Sequence, residues 1–321
     1  MIDVIIPSHE KDKETIDLCI QGVKENIQDV RRIIVVSKNK MTDNAEWISE
    51  ETFPFTIKDV GNTIGFHRKT FNYFGGLIQT TSALVIPDLC DNVLVLDSDT
   101  IFLTPKQFVD EDNKVSFDVS YDVAAGVSDH PYYEHMEKLI PGLKKQTNYS
   151  GIVHHMLIQK DILRDMFNRV EEYHKKPFWQ ANLDVTLEDY RTWPNKGSHA
   201  DAPLLLTTYE LYFNYALKYF PERVKIEPRN SILAYKGRMG VDGENIERVG
   251  SRTNLKGNVK ILSVQEESQF KFDSFGDSCN YISKRCKERG YDTVTFQNHT
   301  RIGSSNHKDR CEAEIHEISQ S

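Results

Sequence analysis

Four aliphatic residues in a row, Val93-Leu94-Val95-Leu96, run directly into Asp97-Ser98-Asp99. A run this apolar and this short, cut off by an acidic turn, predicts a buried strand. The chain before it alternates between strand-like and helix-like stretches. Ile2 to Ile6 is a short apolar run ending at Pro7, and Ile16, Cys19, Ile20, Val23 and Ile27 then recur at helical spacing. Ile33-Ile34-Val35-Val36 predicts a second strand and Phe55 to Val60 a third. Phe71, Phe74, Leu77, Ile78, Thr81, Leu84 and Val85 predict one long helix. Strands separated by helices need crossover connections, so the expected class is α/β with a mostly parallel sheet. Ligands of such sheets bind beyond the carboxyl ends of the strands, which directs attention to Pro7-Ser8-His9 and Asp97-Ser98-Asp99.

The second half is more mixed. Gly151 to Ile158 predicts a strand, Ile162, Leu163, Met166, Phe167 and Val170 a helix, and Thr208 to Tyr219 another, ended by Pro221. From about Val241 the chain turns polar, with short strands predicted near Val259 to Val264 and Thr293 to Phe296. Of 321 residues, 39% are hydrophobic, which is enough for a core and too many for a disordered chain. Acidic residues outnumber basic ones 48 to 40, and the net charge of −8 argues against nucleic acid or an anionic membrane as the main partner. No apolar run reaches the ~18 residues of a transmembrane helix. The start, Met1-Ile2-Asp3-Val4, lacks the basic lead of a signal peptide, and five scattered cysteines make no evident disulfide framework. The expected location is cytoplasmic.

Asp97 and Asp99, just past a buried strand, can meet a divalent cation at the sheet's edge. Hard oxygen ligands suit magnesium or manganese, which keep water and bridge to substrate phosphates. The same residues also make an ordinary acidic turn. His154 and His155 are neighbours, and neighbours on a regular strand point to opposite faces. At most one should therefore reach a cleft, leaving the other buried with a satisfied hydrogen bond. Glu210, in Thr207-Thr208-Tyr209-Glu210, has two readings: the distal half of a helix capping box, or a general base for a hydroxyl. Asp201 and Asp184 are the reserve carboxylates for that base.

The string Val93 to Phe102 resembles the D-x-D segment of GT-A glycosyltransferases, which use nucleotide sugars. An ordered set extends the likeness: Ile6-Pro7-Ser8 with acidic residues nearby, Arg68 opening a long aromatic helix, the D-S-D string, Ser150 to Met156, and Tyr209 to Tyr212. Over about residues 1–240 the chain is similar to a family of bacterial and viral glycosyltransferase-like proteins. The resemblance implies a GT-A type fold, a mostly parallel sheet flanked by helices. It implies a nucleotide-binding half (1–100) and an acceptor half (101–240), with an extension (241–321) packed on the same domain. The donor would contact Pro7, Ser8, Arg68, Asp97, Ser98 and Asp99, and the acceptor Ser150, His154 and His155. The metal, manganese or magnesium, would lie on Asp97 and Asp99, with a C-terminal histidine, His299 here, as a further ligand. The implied reaction moves a hexosyl or pentosyl group from a nucleoside diphosphate, UDP by family tendency, to a glycan or other hydroxyl acceptor. Inversion with Glu210 as base is the expected mechanism. Two other readings stand beside it. A haloacid-dehalogenase-like phosphatase also uses strand-D-x-D, but wants Thr or Val where Ile101 stands. A non-catalytic nucleotide- or carbohydrate-binding module could share the fold.

Overall fold

The apolar runs of the first half assemble into one sheet. The computed structural model describes residues 1–66, 68–121, 131–192, 208–236, 246–251 and 275–297. In chain order the strands are β1 (Ile2–Pro7), β2 (Val30–Ser37), β3 (Glu46–Ser49), β4 (Asn92–Leu96), β5 (Thr100–Phe102) and β6 (Val115–Tyr121). They continue as β7 (Tyr149–Ser150), β8 (His155–Gln159), β9 (Val224–Pro228), β10 (Ser231–Lys236), β11 (Ile246–Ser251) and β12 (Thr293–Gln297). The helices are α1 (Ile16–Asn26), α2 (Ile57–Ile64), α3 (Arg68–Val85) and α4 (Pro131–Leu139). After them come α5 (Lys160–His174), α6 (Phe178–Thr192), α7 (Thr208–Tyr219) and α8 (Phe275–Glu288).

The central sheet has the order β3-β2-β1-β4-β8. Its first four strands are parallel, and β8 runs antiparallel to β4. The chain builds outward from β1 in one direction through β2 and β3, then returns to place β4 on the other side. The strand order therefore reverses between β1 and β4, which is where sheets of this kind open a crevice for a ligand. Ile5, Ile34, Val95 and Leu157 are fully buried in the sheet's core, and α3, α5 and α7 pack against β1, β4 and β8. The architecture is mixed α/β, a mostly parallel sheet flanked by helices.

Two smaller sheets adjoin it, ordered β11-β10-β12-β5 and β7-β6-β9. β5, the strand after the acidic turn, pairs antiparallel with β12. A separate core of Ile101, Leu103, Ile232, Cys279, Ile282, Cys286, Tyr291, Val294 and Phe296 sits under this pairing. Among the described residues, no helix is long and apolar enough to cross a membrane.

One expected strand is a helix start and another is shorter than expected. Phe55 to Val60 leads into α2: the Thr56 hydroxyl accepts from the Asp59 amide (3.1 Å), and the Asp59 carboxylate accepts from the Thr56 amide (2.8 Å). That capping box turns an apolar stretch into a helix start, and the third strand is Glu46–Ser49 instead. The stretch from Gly151 to Ile158 is interrupted, with β8 starting only at His155. His154 has φ 66°, in the left-handed region, which breaks the extended run. The strand expected near Val259 to Val264 lies outside the described residues, whereas that at Thr293 to Phe296 is β12.

Candidate active site at the switch point

β1 and β4 end side by side. Past β1, the Ser8 amide donates to the Val36 carbonyl (2.8 Å), and the Ser8 hydroxyl is buried with no partner among the described residues. Past β4, Asp97-Ser98-Asp99 closes as a turn in which the Thr100 amide donates to the Asp97 carbonyl (3.0 Å). The loop after β1 touches the first turn of α3 through an edge-on contact of the His9 and Phe71 rings, centroids 6.3 Å apart. The backbone of Arg68 thus starts α3 beside the ends of Pro7 and Ser8.

Asp97 is a hub. Its Oδ1 accepts from the Gln79 amide and the Tyr209 hydroxyl, each at 2.6 Å, and its Oδ2 lies 2.9 Å from His154 Nδ1. The Asp97 amide also donates to the His154 carbonyl (2.9 Å). Two bonds to one residue explain how His154 holds a backbone conformation that costs a non-glycine residue about 1–3 kcal/mol. Burial, then the Asp97 charge, pushes the Tyr209 phenol well above its ordinary value, so it remains a proton donor to that carboxylate. α3, α7 and the loop before β8 therefore meet on one carboxylate.

Asp99 is half-buried. Desolvation and the nearby carboxylates of Asp12 and Asp97 push its carboxyl well above the usual range, with Lys11 opposing. Asp12 belongs to the short helical turn Glu10–Asp12 after β1 and is 5% exposed. Its Oδ2 accepts from the Ser98 hydroxyl (2.9 Å), while its Oδ1 is buried with no partner among the described residues. Cys19 of α1 lies below, its thiol donating to the Asp97 carbonyl (3.7 Å). Burial and the charges of Asp99, Asp97 and Asp12 push that thiol well up. Among the described residues, no three or more His, Cys, Asp or Glu are grouped to enclose a metal ion. The residues nevertheless fit a hard cation, because an Asp12 carboxylate oxygen is buried with no partner among the described residues and three carboxylates crowd the turn. Such an ion would complete its shell with water and substrate oxygens.

The other expected site residues divide. Ser150 and Glu210 come together: Glu210 Oε2 accepts from the Ser150 hydroxyl (2.8 Å) and the Gly151 amide (2.9 Å). Its Oε1 accepts from Asn214 Nδ2 (3.1 Å). Glu210 is 1% exposed, so this carboxylate faces the loop from Ser150 to His154 from beneath and presents no oxygen to an acceptor. Thr207, the other half of the expected capping box, lies outside the described residues. His155 is not brought to the site: it is buried between the Phe102 and Phe108 rings, with Nε2 3.0 Å from Asp118 Oδ2. Its Nδ1 has no partner among the described residues. Asp184 lies on the surface, paired with Lys176 at 2.5 Å. His299 and Asp201 lie outside the described residues. Gln79 enters the site without a sequence motif that marks it, whereas Tyr209 opens the Tyr209 to Tyr212 segment of the resemblance without a role assigned to it there.

No family model matches the chain, and no curated protein matches it in sequence. Among solved structures it is similar to the galactosyltransferase LgtC in complex with donor and acceptor sugar analogs. That match has 11% identity and a TM-score of 0.35, covering 97% of this chain and 95% of that one. The mannosyltransferase Ktr4p of S. cerevisiae is similar at 12% identity and TM-score 0.43, over 88% of this chain and 81% of that one. Mouse xyloside xylosyltransferase 1 in its apo form matches at 9% identity and TM-score 0.34, over 70% of this chain and 84% of that one. All three of these structures are of glycosyltransferases.

Proposed function

We propose that the chain transfers a sugar from a nucleoside diphosphate, UDP in the first instance, to a hydroxyl acceptor, with a divalent cation at Asp99. The observation that carries this reading is the acidic turn at the switch point between β1 and β4, together with a buried Ser8 hydroxyl and a buried Asp12 oxygen that have no partner among the described residues. Those groups sit where the sheet opens, and a donor or its cation would supply each with the partner that the described residues do not. When bound, the cation would neutralise the charge that develops on the leaving diphosphate.

The chain's own residues do the rest. Ser8, with Pro7 and Arg68 beside it, binds the nucleoside end of the donor. Asp97 holds the turn rigid through Gln79, Tyr209 and His154, so that Asp99 stays in place as charge moves. Ser150 and the loop to His154 form the acceptor side, fixed from beneath by Glu210. A general base must reach the proton it takes, and Glu210 is instead occupied in positioning that loop.

The test is a panel of UDP-, GDP- and CMP-sugars with manganese, monitored for nucleotide release and for thermal stability. UDP-sugar turnover that stops in EDTA is expected. A saturating donor at a hundredfold excess over Kd should stabilise the fold by about 2.7 kcal/mol. Equal binding of all nucleoside diphosphates in EDTA would reject the metal. Cleavage of a simple phosphomonoester, with no nucleotide-sugar turnover, would favour a phosphatase.

A further inference from the structure

The two carboxylates of the D-x-D turn are not equally available to an ion. Both oxygens of Asp97 are engaged, Oδ1 by Gln79 and Tyr209 and Oδ2 by His154. Three of the roughly four acceptor positions of Asp97 are thus taken by groups from three separate elements, which leaves it little to offer an ion. Asp12 is in the opposite condition. Its Oδ2 takes the Ser98 hydroxyl, and its Oδ1, although buried, takes nothing among the described residues. A carboxylate oxygen buried with no partner among the described residues is expensive, and a bound cation would remove that cost.

The position is also built. The Lys11 amide donates to His9 Nδ1 (3.3 Å), the Asp12 amide donates to the His9 carbonyl (2.8 Å), and the Thr15 hydroxyl donates to the Asp12 carbonyl (3.0 Å). These bonds fix the backbone that presents the Asp12 side chain. Ser98 stands between Asp97 and Asp99 in sequence, so its bond to Asp12 clamps that carboxylate to the turn that carries Asp99. We propose that Asp12 and Asp99 are the two protein carboxylates of the cation site, and that Asp97 is the frame on which the site is built. Magnesium and manganese commonly take one or two carboxylates and complete their shells with phosphate and water, so a pair suffices. This assignment rests on the reading above that a cation binds at the acidic turn.

The experiment titrates the full chain with Mn2+, alone and with UDP, following free Mn2+ by electron paramagnetic resonance. Asp12→Asn and Asp99→Asn should each weaken Mn2+ binding by about tenfold or more, whereas Asp97→Asn should weaken it less than either. The reverse order, with Asp12→Asn binding as wild type and Asp97→Asn losing the ion, overturns the assignment. Where Asp12→Asn fails to fold, Asp12→Cys titrated with Cd2+ decides, because a soft thiolate that touches the ion adds a thiolate-to-cadmium absorption. Wild type, with Cys19 nearby, supplies the baseline. A folded Asp12→Cys protein with no added band overturns the proposal. If wild type binds no Mn2+ with any nucleoside diphosphate, the cation-dependent reading itself falls, a result distinct from Mn2+ binding that ignores Asp12.

Discussion

Glu210 shows how a single carboxylate changes meaning between sequence and structure. Its spacing from Thr207 fits a cap or a base, yet its oxygens accept from Ser150, Gly151 and Asn214 in the interior. Glu210→Gln keeps the shape but turns one oxygen into an amide nitrogen that must face a donor. The expected loss is about 1–3 kcal/mol of stability, measured by urea unfolding. If Glu210 were instead a base for the acceptor, the change would collapse turnover and leave stability nearly intact. The residues that sequence reading located, Ser8, Asp97, Asp99 and Ser150, follow apolar runs or belong to short strings. Gln79 was not legible, and Asp12 was only one of the acidic residues near the opening string, because each meets the site across a tertiary contact that no local spacing encodes.

At the level of elements, β1, α1, β2, α3 and β4 could be read from sequence because burial gives strands continuous apolar runs and helices a stripe. α6 escaped that reading for a physical reason: the side it buries is partly polar. Asn182, Thr186 and Asp189 are interior there, bonded to Tyr73 and His135 rather than packed as hydrocarbon. The break before β8 escaped for another, since nothing in Gly151 to His154 announces a left-handed histidine. Gly151 marks the place only in three dimensions. A Cβ there would lie 2.6 Å from Phe213 Cβ, on a side-chain root that cannot swing away. Gly151→Ala should therefore push α7 from the loop and cost about 1–3 kcal/mol. The urea midpoint should fall with an unchanged m-value.

Across the whole molecule, stability leans on buried aspartates held ionised. Burial alone would raise Asp118, but the His155 hydrogen bond and charge and the Lys106 ammonium more than offset it and hold it low. Asp189 is held low against burial by His135 and Lys138, and Asp292 by Arg229, Thr104 and the Asn230 amide. Asp3 is held low against burial by Arg31 and the Cys90 amide. Each depressed group contributes stability above the ordinary aspartate value of 3.8, which is lost as pH falls through its lower folded value. Asp99, which is raised, works the other way, and only above about 3.8, where falling pH removes a charge that folding had buried. Urea midpoints should therefore fall as pH drops from about 4 through 3 and below; a flat or rising profile over that range would show that these pairs do not carry the fold.

The pairing of β5 with β12 has a consequence in time. Thr100 and Thr295 share a buried hydroxyl contact although 195 residues separate them, and the Asp99 carbonyl accepts from the Phe296 amide (2.9 Å). Contacts between such distant parts of a chain form late, since a long loop must close first. A ribosome carrying a nascent chain will have released β1 to β4 long before β12 emerges, so the acidic turn exists before the strand that braces it. Donor affinity should appear with the last refolding phase, after the central sheet has gained its secondary structure. Stopped-flow refolding monitored by circular dichroism and by fluorescent UDP analogue binding would separate the two phases. Simultaneous appearance would mean that the acidic turn needs no brace from the far end of the chain.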